Sequence, residues 1–257
     1  KDKYDKDKNI LSKVTVEDMY LEGTLDMAGG VSLTVNNTEE VSISGITGSG
    51  TLVKNGAGTL ELGDAVLHTL DFTHNNGSFA QAVGELHIIG TVNIADTLRV
   101  GDGTLTIGED AAVTTKVFQA VSNGKNANSR IEIAGGSLTI TGTDDVDGET
   151  TDFILGYWHN SNTSSAQLTL SSGTLTAENT SLYMGYDSPG VFKALGGEAT
   201  LKGIRFRNNA ADADTVELGT ATSANDSVTV TIGSTGIVGM ASNDVIKLGG
   251  GTLKASA

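Results

Sequence analysis

The side chains best suited to chemistry in this chain are a few aromatics, two arginines and one acidic cluster. Phe153-Ile-Leu-Gly-Tyr157 is echoed by Leu182-Tyr-Met-Gly-Tyr186, with Gly156 and Gly185 29 residues apart. On neighbouring coils of a repeat protein, Tyr157 and Tyr186 would stack into a platform for the apolar faces of sugar rings. Trp158 and Tyr183 would extend it. The plainer reading is an internal aromatic ladder that fills a core. Arg205-Phe-Arg207 places two guanidiniums on one face of a strand. Such a pair can clamp a sulfate or carboxylate of an acidic glycan, or simply meet Asp212, Asp214 or Glu198. Asp144, Asp145, Asp147 and Glu149 supply the hard oxygen ligands that Ca²⁺ takes, but not at the alternate positions of an EF-hand loop. The plainer reading is an exposed acidic loop between two strands.

Other signatures of catalysis are missing. The Gly-x-Gly pairs at 48/50, 56/58 and 101/103 lack the third glycine and the helix of a dinucleotide fingerprint. No Gly-x-Ser-x-Gly elbow occurs. The four histidines form no His-Glu-x-x-His, and without cysteine there is no thiolate to hold zinc. The sequence therefore nominates no catalytic residue and no cofactor.

The elements that must carry these residues are short strands. Val31-Ser-Leu33-Thr-Val35, Leu60-Glu-Leu62, Leu105-Thr-Ile107, Leu168-Thr-Leu170 and Val228-Thr-Val230-Thr-Ile232 alternate apolar with polar residues, a period that sends one set inward. Between them stand Gly, Asn, Asp and Ser, which let the chain turn sharply. A unit Gly-(Thr/Ser)-Leu recurs at Gly50, Gly58, Gly103, Gly136, Gly173 and Gly251. Evenly spaced strands also suit a sandwich or jelly roll. Hairpin spacing is scarce, however, and a solenoid extends its core with every repeat. The predicted fold is all-β: a right-handed parallel β-helix of short strands with Gly/Asn-rich turns. Roughly ten to twelve coils at ~4.8 Å each would give a rod on the order of 50 Å. Residues 1–13, rich in alternating Lys and Asp, read as a charged spacer, and 14–257 as the repeat domain. The abrupt ends suggest a fragment of a longer, processed polypeptide.

Gly48-Ser-Gly-Thr-Leu-Val-Lys-Asn-Gly-Ala-Gly-Thr-Leu-Glu-Leu62 resembles the passenger-associated transport repeat, also called the autotransporter-associated β-strand repeat. Gly48, Gly50, Leu52, Lys54, Gly56, Gly58, Leu60 and Leu62 match its pattern. Lys247 to Ala257 resembles the later part of the same repeat. The resemblance covers about 15 residues. It implies a β-helical passenger displayed on a Gram-negative cell surface, with a motif that assists folding and secretion.

Charge narrows the partners. At a net charge of −15 the chain repels phosphate backbones and anionic membranes, so nucleic acid is not expected. No apolar run reaches the ~20 residues of a membrane-spanning helix. The expected function is a non-catalytic surface scaffold or adhesin, extracellular, meeting glycans or host surface proteins. Two alternatives stay open: a carbohydrate-active enzyme with a groove on the coils, and a transport or folding spacer for another domain. Exposed strand edges at the coil ends predict weak self-association.

Overall fold

The computed structural model describes residues 13–17, 19, 21, 23–72, 84–121, 128–144, 151–157, 165–186, 188–207, 213–220 and 228–256. Among them lie 23 strands and no helix. The expectation of an all-β chain holds. Every strand joins one sheet, and every pairing is parallel. The antiparallel ladders that a sandwich needs do not occur among the described residues. Val14-Thr-Val16, part of a stretch that could also suit a short helix, is the strand Lys13–Val16, paired with Ser32 to Val35.

The pairings sort into three ladders, visited in a fixed order. Ladder A joins Leu33, Leu52, Leu70 and Leu98, then Phe118, Phe153, Leu182 and Ile204. Ladder B joins Val41, Leu60, Leu86, Leu105 and Ile131, then Leu168, Phe192 and Val216. Ladder C includes Val92, Val113, Leu138, Leu175, Ala199 and Val230. All of these side chains are buried, and they belong to a single core cluster. Alternation is the cause. With a period of two, one apolar side chain in every pair of residues points the same way on all three ladders. Each fully buried Leu, Ile or Phe contributes about 1.5–3 kcal/mol. Phe118 and Phe153 meet edge to face at 5.6 Å inside ladder A, an arrangement worth about 0.5–1.5 kcal/mol beyond its area.

The Gly48–Leu62 segment occupies the end of one turn and the corner of the next. Thr51–Asn55 lies on ladder A and Thr59–Leu62 on ladder B. Leu52, Lys54, Leu60 and Leu62 all point inward and are fully buried. Gly56 turns the chain between the two strands at φ 91°. A Cβ there would lie 2.4 Å from the Asn37 carbonyl oxygen, so the corner packs directly on the corner below. Buried Asn37 secures that lower corner, its amide donating to the carbonyls of Glu39 (2.5 Å) and Thr59 (2.8 Å). Lys54 secures its own corner. Its ammonium donates to the carbonyls of Asn55 (3.1 Å) and Gly56 (2.9 Å) and stands 5.8 Å from the Phe72 ring centroid.

Candidate functional site

Ladder A carries the candidate site on its outer face. Gln119, Ile154, Tyr183, Arg205 and Val238 follow one another in register on successive strands. The inward neighbours of Tyr183 and Arg205 are the buried Leu182, Met184, Ile204 and Phe206, and these fix the backbone that presents the two polar side chains. Phe206 therefore points opposite to Arg205, as the alternation predicts. Arg207 follows directly after the strand Glu198–Phe206, its N–H donating to the Met184 carbonyl at 3.1 Å.

Tyr186 reaches the same patch from the adjoining corner. The chain turns there at Gly185, at φ 68°. A Cβ on Gly185 would lie 2.1 Å from the Asp214 carboxylate, so only glycine lets that carboxylate approach. Asp214 is 1% exposed and accepts the Gly190 N–H at 2.7 Å. Its own N–H donates to the Asp244 carboxylate at 3.1 Å. Asp214 thus holds the Gly190 end of the chain segment that carries Tyr186 and lies against Gly185 at its other end. The Tyr183 and Tyr186 ring centroids are 5.7 Å apart with planes tilted at 56°, and the Arg207 guanidinium sits 5.2 Å over the Tyr186 ring. All four side chains, Tyr183, Tyr186, Arg205 and Arg207, are half-buried. A ring pair with a guanidinium on one of its faces combines stacking area, phenol hydroxyls and positive charge.

The Phe153–Tyr157 and Leu182–Met184 strands are paired neighbours, as the 29-residue echo implies. Tyr157 ends the first of these strands. Its side chain, and the whole of Trp158, lie outside the described residues. Among the described residues of the patch, an aromatic contact forms between Tyr183 and Tyr186, which are only three residues apart. The 29-residue echo does not announce it, because a ladder residue and a corner residue of the same turn meet. Of the acids weighed as partners for the arginines, Asp212 lies outside the described residues, and Asp214 faces the Gly185 corner. Glu198 stands in ladder C, paired with Thr174 and Thr229.

A second polar cluster spans another corner. Of the four acidic residues with calcium-type oxygens, Asp145, Asp147 and Glu149 lie outside the described residues. Asp144 has its side chain 3% exposed and filled with donors. It accepts the Ser181 N–H (2.7 Å), the Ser181 hydroxyl (2.9 Å) and the Thr180 hydroxyl (3.1 Å), and pairs with the Lys202 ammonium at 2.9 Å. Burial pushes its carboxyl up. The hydrogen bonds from Ser181 and Lys202, with the lysine's charge, outweigh that and hold it below the usual carboxylate range. Asp144 acts as a bolt between three successive turns. Among the described residues, no three His, Cys, Asp or Glu side chains come together as metal ligands, and no helix is long and apolar enough to cross a membrane.

Compared with protein-family models, curated proteins and solved structures, the chain matches none.

Proposed function

We propose that this chain is a non-catalytic, extracellular β-helical scaffold of the autotransporter-passenger kind, and that its aromatic–arginine patch binds glycans. The coils wind as a right-handed parallel β-helix, the hand that parallel crossover connections adopt in about 98% of cases. The observation that carries the reading is the placement of the patch. Tyr183, Tyr186, Arg205 and Arg207 gather where the chain passes from ladder A to ladder B. The autotransporter-like segment at Gly48–Leu62 supports the passenger reading, since its matching positions build a stacked corner and not a pocket.

The test is an array of neutral, carboxylated and sulfated glycans probed with the folded chain and with Tyr186→Ala and Arg207→Ala. Saturable binding that falls about fivefold in both variants is expected, since a contact with an aromatic face or a guanidinium is worth ~1 kcal/mol, and ~1.4 kcal/mol is tenfold. Binding that both variants keep would place the site elsewhere. No binding by folded protein would leave a scaffold without this adhesive function.

A further inference from the structure

We infer that the outer face of ladder C binds ice, through a two-column array of threonine hydroxyls. Thr114, Thr139, Thr176, Thr200 and Thr231 follow one another in register on successive strands of that ladder. Two residues earlier on the same strands, a second column holds Ser137, Thr174 and Thr229, broken once by Glu198. The residues between the columns, Leu138, Leu175, Ala199 and Val230, are buried, so the period of two turns both columns outward. Thr174 is exposed and the other hydroxyl residues are half-buried.

Threonine suits any strand surface, which explains its presence but not its place. The outer face of ladder A carries Asp71, Arg99 and Arg205, and that of ladder B carries Glu61, Glu132 and Lys193. On ladder C the two columns from Thr91 to Thr231 hold a single charge, Glu198, in a chain of net charge −15. The register of the array is also unbroken. Where neighbouring strands slip, the shift falls outside it, between Ile94 and Thr97, before Ser137 and after Leu201.

A regular grid results. Each column repeats at ~4.8 Å from strand to strand, and two residues along a strand advance ~6.6 Å. β-Branched threonine keeps few rotamers, so its hydroxyl, both donor and acceptor, is held at each grid point beside its methyl group. A partner that fits must repeat in two directions at once, offer donors and acceptors together, and need no countercharge. A face of ice does all three: its rows of water oxygens repeat at closely similar spacings, every oxygen both gives and takes hydrogen bonds, and the lattice rejects ions. A single glycan chain repeats in one direction only. Because the array is stiff before it binds, little side-chain freedom is lost on contact.

The experiment freezes a dilute solution of the full chain slowly onto a cold surface and measures the share of protein taken into the ice. It is run beside Thr176→Lys, at the centre of the array, and Thr106→Lys, at a half-buried outward threonine of ladder B. The folded parent should enter the ice, whereas growing ice pushes an ordinary protein into the liquid. Thr176→Lys should lower that share about tenfold, since a lysine there holds the neighbouring hydroxyls off the lattice and each ~1.4 kcal/mol of lost contact is tenfold. Thr106→Lys and Tyr186→Ala should keep it, which separates this face from the proposed glycan patch. Thr139→Lys, on the adjacent strand, repeats the test should Thr176→Lys fail to fold. Exclusion of the folded parent from ice, full uptake of a folded array variant, or a matching loss in Thr106→Lys or Tyr186→Ala would each overturn the inference.

Discussion

Lys54 is a buried ammonium that pairs with no carboxylate among the described residues, and its energetics make the sharpest test of the fold. Burial lowers its pKa from 10.5 to about 8. At 1.36 kcal/mol per pKa unit, that drop corresponds to about 3 kcal/mol. The side chain is fully buried, so solvent screening does not discount the figure. The two carbonyls and the Phe72 face that it meets favour the charged form, which makes 3 kcal/mol an upper value. Below pH 8 the lysine is protonated whether the chain is folded or not, and the folded state bears the whole cost. Between pH 8 and 10.5 the folded state releases the proton while the unfolded state keeps it, so stability rises with pH. Above 10.5 both states are neutral and the gain is complete. Lys54→Met removes this dependence together with two hydrogen bonds, each worth about 1.5–3 kcal/mol to a charged donor. The two effects oppose each other, and the variant should sit within a few kcal/mol of the parent at pH 7. The decisive quantity is the difference in unfolding free energy, parent minus variant, from urea titrations across pH 7 to 11. It should climb by up to about 3 kcal/mol, with most of the rise between pH 8 and 10.5. Taking the difference cancels the tyrosines and the exposed lysines. A flat difference would refute the buried ammonium.

Asp144→Asn should lower unfolding stability by about 3–5 kcal/mol at pH 7, the scale of breaking a buried pair from one side. Because its folded pKa is depressed, the parent's advantage is present above an unfolded pKa of about 3.9 and fades as pH falls below it; urea titrations at pH 7 and pH 3 check this. Gly56→Ala should destabilise by at least about 1–2 kcal/mol, since alanine disfavours φ 91°, and its Cβ would press on the Asn37 carbonyl from 2.4 Å. Thermal unfolding would show it as a lower midpoint.

Alternation made the ladders legible before the register was known. Leu60-Glu-Leu62, Leu105-Thr-Ile107 and Leu168-Thr-Leu170 place their apolar members inside, and all three segments fall on ladder B. The Gly-(Thr/Ser)-Leu unit was legible only as a strand start. Gly50 opens a strand of ladder A, Gly58 and Gly103 open ladder B, and Gly136, Gly173 and Gly251 open ladder C. It does not count turns, because any strand entering a parallel ladder after a tight corner has the same need for a small residue and then an inward Leu. The site was half legible. Arg205 and Arg207 follow from period two, but their approach to Tyr186 depends on Asp214 holding a corner from the next turn, a contact between residues with no periodic relation. Lys54 was visible as a motif position, yet its burial runs against the usual preference of lysine for the surface.

The irregular repeat length has a physical cause that also bears on function. Leu52 pairs with Leu70, Leu70 with Leu98, and Phe118 with Phe153, so the chain between stacked partners varies widely while the inward register is kept. A parallel ladder fixes side-chain parity and strand spacing and leaves the length of the corners free. Selection on the core therefore constrains every second residue of each strand and almost nothing between strands. Loop closure adds little to the cost, since doubling a loop raises it by only about 0.6 kcal/mol. Corners can then lengthen and acquire aromatics and arginines without disturbing the ladders, provided a buried group such as Asp214 holds them in place. If the chain binds a partner as proposed, the residues that recognise it are expected at the corners that break the period.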